Sequence, residues 1–242
     1  MQEKIYELNI HSLKDKKHLQ NIISNDKVNY YWSLDWSEEF YIEQAQNGFI
    51  STSHDHLGTT LLLPEIQFEY ALLNFKDLHI SSKVAKLIKR EDFKLSFDNN
   101  FNTVLKNIQN YHKYNWLQGP YLKLMQKLHT NQDKYQHFKL HSVELLSKSD
   151  NKLIAGEIGY VIGSTYTSLT GYSSKEKRYN NCGKLQLVYL AQTLEEQGFD
   201  FWNLGHPHME YKKHLGAKVY SRQEFLKRWT NAISKQQRNL YE

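Results

Sequence analysis

The chain has 242 residues, 40% apolar and 24% charged, with 31 Lys and Arg against 26 Asp and Glu for a formal charge of +5. This composition excludes a disordered chain and leaves room for one large domain or two modest ones. One cysteine, Cys182, excludes an intramolecular disulfide and a cysteine-based zinc site, and no run approaches the ~18 apolar residues of a membrane span.

The opening segment, MQEKIYELNIHSLKDKK, has no apolar core of signal-peptide length, so a cytoplasmic protein is expected. Lys14 to Ile23 reads as a short amphipathic helix. Ser37 is placed to cap a second helix, with Glu38 and Glu39 at its positive end and Gly48 closing it. STSHDHLGTT reads as a loop, and LLLPEIQFEYALLNF as strands broken at Pro64. A soft boundary follows, giving an N-terminal α/β domain over residues 1–66 and a larger domain over 67–242.

Ser81 or Ser82 opens a helix with Val84, Leu87 and Ile88 on one face and Lys83, Lys86, Lys89 and Arg90 on the other. A solvated face and a phosphate-binding face both fit that charge pattern. FKLSF is a short strand. Phe101, Val104, Leu105 and Ile108 then repeat at helical spacing, as do Tyr121, Leu124, Met125 and Leu128 after a Gly119–Pro120 start. Trp116 stands on the connection between them, as a loop anchor or a pocket wall.

From Phe138 to Gly205 the pattern is strand, strand, strand, helix, strand. HSVEL alternates, with Ser142 and Glu144 on one face. LIAGEIGYVIG and TYTSLTGY form a hairpin about Gly163–Ser164. A helix over Lys184 to Gln197 places Leu187, Val188, Ala191 and Leu194 inward, and FDFWNLG is the next strand. HPHMEYKKHLGA reads as a loop or short helix, and RQEFLKRWTNAI as a terminal helix with Phe225, Leu226 and Trp229 inward.

His206, His208, Glu210 and His214 lack metal-ligand spacing, and no metal site is expected. G-x-S-x-G, P-loop and G-x-G-x-x-G patterns are absent. Direct acyl transfer between two bound substrates remains, with a polar group managing the amine proton. Its place is where strand ends splay, near Thr170–Tyr172 and Asn203–His206, with helix amides around Asn181–Lys184 to hold an anion.

Several stretches resemble the leucyl/phenylalanyl-tRNA–protein transferase family. DLHISSKVAKLIKREDFKLSFDNNFNTVLKNIQ is similar to its basic helix, strand and following helix. NWLQGPYLKLMQKLH with LHSVELL resembles its tryptophan-bearing helix and H-S-[IV]-E strand. EQAQNGFI and HLGAKVYSRQEFL resemble its A-Y-x-x-G-x-F and S-L-G-A elements. The matches are collinear from about Trp36 to Leu226.

The resemblance implies an α+β chain: a small N-terminal domain and an acetyltransferase-like (GNAT-like) mixed sheet flanked by helices. It implies transfer of an amino acid, Leu or Phe in the family, from aminoacyl-tRNA to the N-terminal amine of an acceptor with a basic first residue, marking it for degradation. The activated ester needs neither ATP nor metal, so aminoacyl-tRNA is the co-substrate and no cofactor is expected. A monomer is expected.

By motif, Trp116 would contact the terminal adenosine, with Tyr172, Ser142, Glu144 and Gly205 around the substrate. Lys83, Lys86, Lys89 and Arg90 would hold tRNA. Three positions depart from the pattern. Ser51–Thr52 replaces P-W, Leu169 to Ser174 replaces G-E-S-M-F-S without the glutamate, and Asn203-Leu204-Gly205 replaces D-x-Q. Asn203 and Thr170 are thus the catalytic positions, with His206 expected to replace the lost base. Two alternatives stay open: an N-acyltransferase using acetyl-CoA, for which KRYNNCGK offers a poor loop, and a tRNA- or protein-binding module without catalysis.

Overall fold

The structure, a computed structural model, describes residues 5–241. A short parallel pair, β1 (Tyr6–Glu7) and β2 (Tyr31–Trp32), brackets α1 (Ile10–Lys14) and α2 (Lys16–Ser24). The single helix expected over 14–23 is therefore broken at Asp15, whose carboxylate caps α2 by accepting from the His18 amide. Helix α3 (Glu38–Gln46) starts as expected, with Ser37 Oγ accepting from the Phe40 amide.

STSHDHLGTT is not a loop. It makes most of a hairpin of β3 (Ile50–His56) and β4 (Thr59–Glu65), turned by Leu57 (φ 49°) and Gly58 (φ 80°). Two positive φ values in a two-residue turn match the right-handed twist of the strands, which outweighs the polar composition. Pro64 does not break β4 either: it pairs opposite Ser51, in a two-stranded sheet where a missing donor is tolerated.

The large sheet begins with β5 (Glu69–Leu73), followed by α4 (Ser82–Arg90), β6 (Phe93–Phe97), α5 (Phe101–Tyr111) and α6 (Gly119–Thr130). Then come β7 (Lys139–Ser147), β8 (Leu153–Ile162), β9 (Thr165–Ser173), α7 (Cys182–Glu196) and β10 (Phe201–Asn203). The chain ends in α8 (Glu210–Leu215), β11 (Lys218–Ser221) and α9 (Arg222–Ile233). Strand order is β11-β5-β10-β9-β8-β7-β6, mixed because β9 and β10 run parallel. Strand β11 was not foreseen; short and exposed, it closes one edge against β5.

The periodic stripes of α5 and α6 are all buried on one face of the sheet, together with Ile158, Tyr160 and Ile162 of β8. Helix α7 covers the other face with Leu185, Val188, Ala191 and Leu194 against Val161, Tyr166 and Trp202. Full burial of each such side chain is worth about 1.5–3 kcal/mol, so the sheet is held from both sides. Leu187, expected inward on α7, instead faces an opening in the sheet.

Candidate active site

Strand β10 is only three residues long and pairs with Thr165–Thr167. Beyond Ser168, β9 keeps β8 on one side and, among the described residues, has no strand on the other. The register slips between Ile158 and Gly159, leaving Leu169 as a bulged residue without a partner on β8. Several bonds turn the chain away after β10. Asn203 Oδ1 accepts from the Gly205 amide at 3.0 Å, and Gly205, at φ +69°, accepts from Ala71 at 2.7 Å. The buried Lys212 ammonium donates to the carbonyls of Leu204 and, at 2.6 Å, His206.

The gap is a cavity of about 490 Å³. Its floor is Gly156 and Glu157 of β8 with Ser168 to Ser173 of β9. Gly183, Lys184, Gln186 and Leu187 of α7 make one wall. The end of α5 and the loop after it supply Tyr111, His112, Tyr114, Asn115 and Trp116. Leu204, Met209, Tyr211 and Lys212 complete it.

Glu157 is the buried carboxylate of this floor, 5% exposed. Its Oε1 accepts from Ser168 Oγ at 2.7 Å and from Tyr166 Oη at 3.0 Å. Ser168 Oγ in turn accepts from Trp202 Nε1 at 2.9 Å. Burial pushes the Glu157 carboxyl up to about 7 despite the two hydroxyl donors. Burial also lowers the Lys212 ammonium to about 8 and raises Tyr172, whose hydroxyl accepts from Asn107 Nδ2, to about 12. His112 Nε2 sits 2.9 Å from the Gly171 carbonyl and 3.4 Å from Thr170 Oγ1.

Of the residues singled out from sequence, Trp116, Thr170 and Tyr172 line the cavity. The Trp116 and Tyr121 rings meet at 69° with centroids 4.7 Å apart, and the Trp116 carbonyl accepts from Ser53 Oγ at 2.5 Å. Asn203, Gly205 and His206 do not line it. Asn203 is buried in the strand-ending turn, and His206 Nε2 lies 2.8 Å from the Glu65 carboxylate, which also accepts from Asn29.

Ser142 and Glu144 also lie elsewhere, fully buried in β7. Ser142 Oγ donates to Glu144 Oε1, which accepts from the Asn100 amide at 3.0 Å, so the pair fixes the start of α5. Beside them, burial would raise the Asp98 carboxyl, but hydrogen bonds from His129 and His141 hold it below the usual carboxylate range. Among the described residues no group of three or more His, Cys, Asp or Glu could hold a metal ion, and no helix is long and apolar enough to cross a membrane.

Lys83, Lys86, Lys89 and Arg90 are all exposed on α4. Helix α4 packs on α7, and Arg90 is close enough to Cys182, at the first turn of α7, to act on its thiol; burial pushes that thiol up to about 11 and Arg90 opposes this. No side chain caps that turn, and its next residues, Gly183 and Lys184, face the cavity.

Sequence reasoning missed Glu157 and Lys212. Glu157 had a visible signal: it is the only charged residue between Lys152 and Lys175, set inside an otherwise apolar strand. Lys212 had none, because YKKH reads as ordinary surface.

The family model for leucyl/phenylalanyl-tRNA protein transferase matches residues 72–230. A Sulfurimonas denitrificans leucyl/phenylalanyl-tRNA–protein transferase is 29% identical over 161 residues, 65% of this chain and 64% of that protein. The Maridesulfovibrio salexigens enzyme of the same name is 26% identical over 159 residues, 64% of this chain and 61% of that one. The match thus spans less than two thirds of the length of these relatives. Among solved structures, FemX is 10% identical, with 89% of this chain and 77% of that chain covered at a TM-score of 0.47.

Proposed function

Because the chain belongs to the leucyl/phenylalanyl-tRNA protein transferase family, we propose that it transfers an amino acid from aminoacyl-tRNA to the N-terminal amine of an acceptor protein, tagging that protein for degradation. One observation carries this reading: α4 packs on α7 through Val84, the Arg90 end of its basic face lies near the first turn of α7, and that turn opens into the cavity at the β9–β10 divergence. A tRNA acceptor stem held by Lys83, Lys86, Lys89 and Arg90 can then deliver its 3′ end into the cavity. There Trp116 offers a stacking surface for the terminal adenosine, and Thr170 and Tyr172 contact the aminoacyl group. Ser142, Glu144, Asn203 and Gly205 act as framework, and His206 clamps the segment after β10 to Glu65.

The aminoacyl ester is already activated. Holding it beside the acceptor amine supplies much of the rate by orientation alone, and the reaction calls for no cofactor. We take the protein to be a cytoplasmic monomer of two units, 1–66 and 67–242, whose acceptors carry a basic first residue. The test is a matrix of labelled aminoacyl-tRNAs against peptides bearing each N-terminal residue. Labelled peptide from at least one pair is expected. Absence of product from every pair, with tRNA still bound, overturns transfer.

A further inference from the structure

We propose that Glu157 is the catalytic base of the transfer, taking the acceptor amine's proton on Oε2. The inference rests on the transfer reading and adds to it the group that moves the proton. The β9 segment that replaces the family's G-E-S-M-F-S has no carboxylate, and Asn203 is buried in a turn outside the cavity. The neighbouring strand supplies one instead. Glu157 stands on β8 opposite Gly171 and reaches the same floor.

The geometry assigns the two oxygens different work. Both hydroxyl donors go to Oε1, which fixes the carboxylate plane. Among the described residues no group hydrogen-bonds Oε2, and the atom is not sealed from solvent. On a side chain lining the cavity, it is the oxygen left to meet a substrate proton.

The step balances. The amine lone pair forms the C–N bond to the ester carbonyl carbon, and the amine proton passes to Oε2. When the intermediate collapses, the C–O bond to the 3′-terminal ribose breaks, its electron pair stays on the ribose oxygen, and Glu157 returns the proton to that oxygen. The products are an amide and a free hydroxyl, and Glu157 ends as it began.

Burial brings this carboxyl to about 7, where a base is effective near neutral pH. The other titratable groups around it are Tyr166 and Tyr172 from β9, Tyr211 and Lys212 from α8, Tyr111 from α5, His112 and Tyr114 from the loop after it, and Lys184 from α7. Lys212, at about 8, changes charge on the alkaline side.

The test is single-turnover transfer across pH 5.5–8.5 with the donor and acceptor that the matrix identifies, using wild type, Glu157→Gln and Ser168→Ala. In wild type two groups must lose a proton, the amine and Glu157, so the acid side is steeper than one decade per pH unit. Glu157→Gln is expected to lose roughly 10²–10⁴-fold in the single-turnover rate constant at saturation, keep its half-saturating aminoacyl-tRNA concentration, and fall back to a slope of one. Ser168→Ala, lacking a hydroxyl that favours the carboxylate, is expected to move the Glu157 limb to higher pH, and it reports on the base even where the Gln variant fails to fold. Transfer by folded Glu157→Gln at the wild-type rate, or an unmoved limb in Ser168→Ala, overturns the base and leaves transfer standing. No product from wild type with any pair overturns both.

Discussion

A methyl group on Gly159 would occupy the space now held by the Tyr166 hydroxyl, and it would stand 2.5 Å from the Thr167 carbonyl as well. Glycine at 159 is therefore what lets Tyr166 cross beneath β8 to reach Glu157. Gly159→Ala is expected to push that hydroxyl off the carboxylate and cost about 1–3 kcal/mol from overpacking. Tyr166→Phe keeps the ring and removes only the donor, and should cost about 1 kcal/mol. Urea denaturation checks both. Both should also move the acid limb of transfer to higher pH, since each takes away a bond that favours the ionised carboxyl.

Glu157 should leave a mark on stability that needs no substrate. Its carboxyl titrates at about 7 when folded, against an ordinary 4.5. Between those values the folded protein keeps a proton that the unfolded chain has released, so stability falls as pH rises through that window. Below 4.5 both states are protonated and the penalty is absent; above about 7 both are ionised and it is complete. Its size is about 3 kcal/mol. In Glu157→Gln the group no longer titrates. The stability of the variant relative to wild type should thus improve by about that amount between pH 4.5 and pH 7.5, read from urea midpoints. A difference that stays flat with pH would show that the carboxyl is not raised.

The scaffold could be read in the sequence because burial writes itself as periodicity. The stripes at Phe101 to Ile108 and Tyr121 to Leu128 were legible, and so was the hairpin about Gly163–Ser164. The β3–β4 hairpin was hidden because its strands carry Ser, Thr, His and Asp on a half-exposed sheet, where little burial enforces alternation. The site was legible in part for a related reason. Motif matching fixes positions along one strand, and so it looked for a carboxylate at 169–174 and 203. A side chain on the adjacent strand reaches the same floor, and linear spacing does not encode adjacency across a sheet. Asn203 and His206 stand close to the opening in sequence, but the Asn203 side chain is held by Thr167 and the Gly205 amide, and His206 follows the positive-φ turn at Gly205, so neither lines the cavity.

Trp116 is half-buried, and it meets Tyr121 with the two rings tilted 69° and their centroids 4.7 Å apart. Trp116→Ala should therefore leave the fold nearly intact while removing a stacking surface from the cavity. Loss of one base–aromatic stack is worth about 1–3 kcal/mol. The expected result is a KM for aminoacyl-tRNA raised roughly 5- to 150-fold by that energy, with Trp116→Phe falling between. Thermal melting within a few degrees of wild type would place the effect in binding. An unchanged KM would leave Trp116 as a packing residue alone.

The basic face of α4 makes a prediction that separates phosphate contact from simple surface charge. Lys83, Lys86 and Lys89 have no carboxylate within ion-pair distance among the described residues, whereas Arg90 holds Asp92 at 2.6 Å. The three lysines are thus free to meet phosphates, while Arg90 must give up a partner to do so. Each lysine that neutralises a phosphate releases a counterion, and its loss should flatten the log–log dependence of tRNA affinity on salt by roughly 0.7–0.9. Lys83→Ala, Lys86→Ala and Lys89→Ala measured singly between 50 and 300 mM salt should each show this, with weaker binding at low salt and little change at high salt. Arg90→Ala should show less of it, because Asp92 is left uncompensated at the same place. Salt slopes equal to wild type in all four variants would move the tRNA off α4, and with it the route by which its 3′ end enters beside α7.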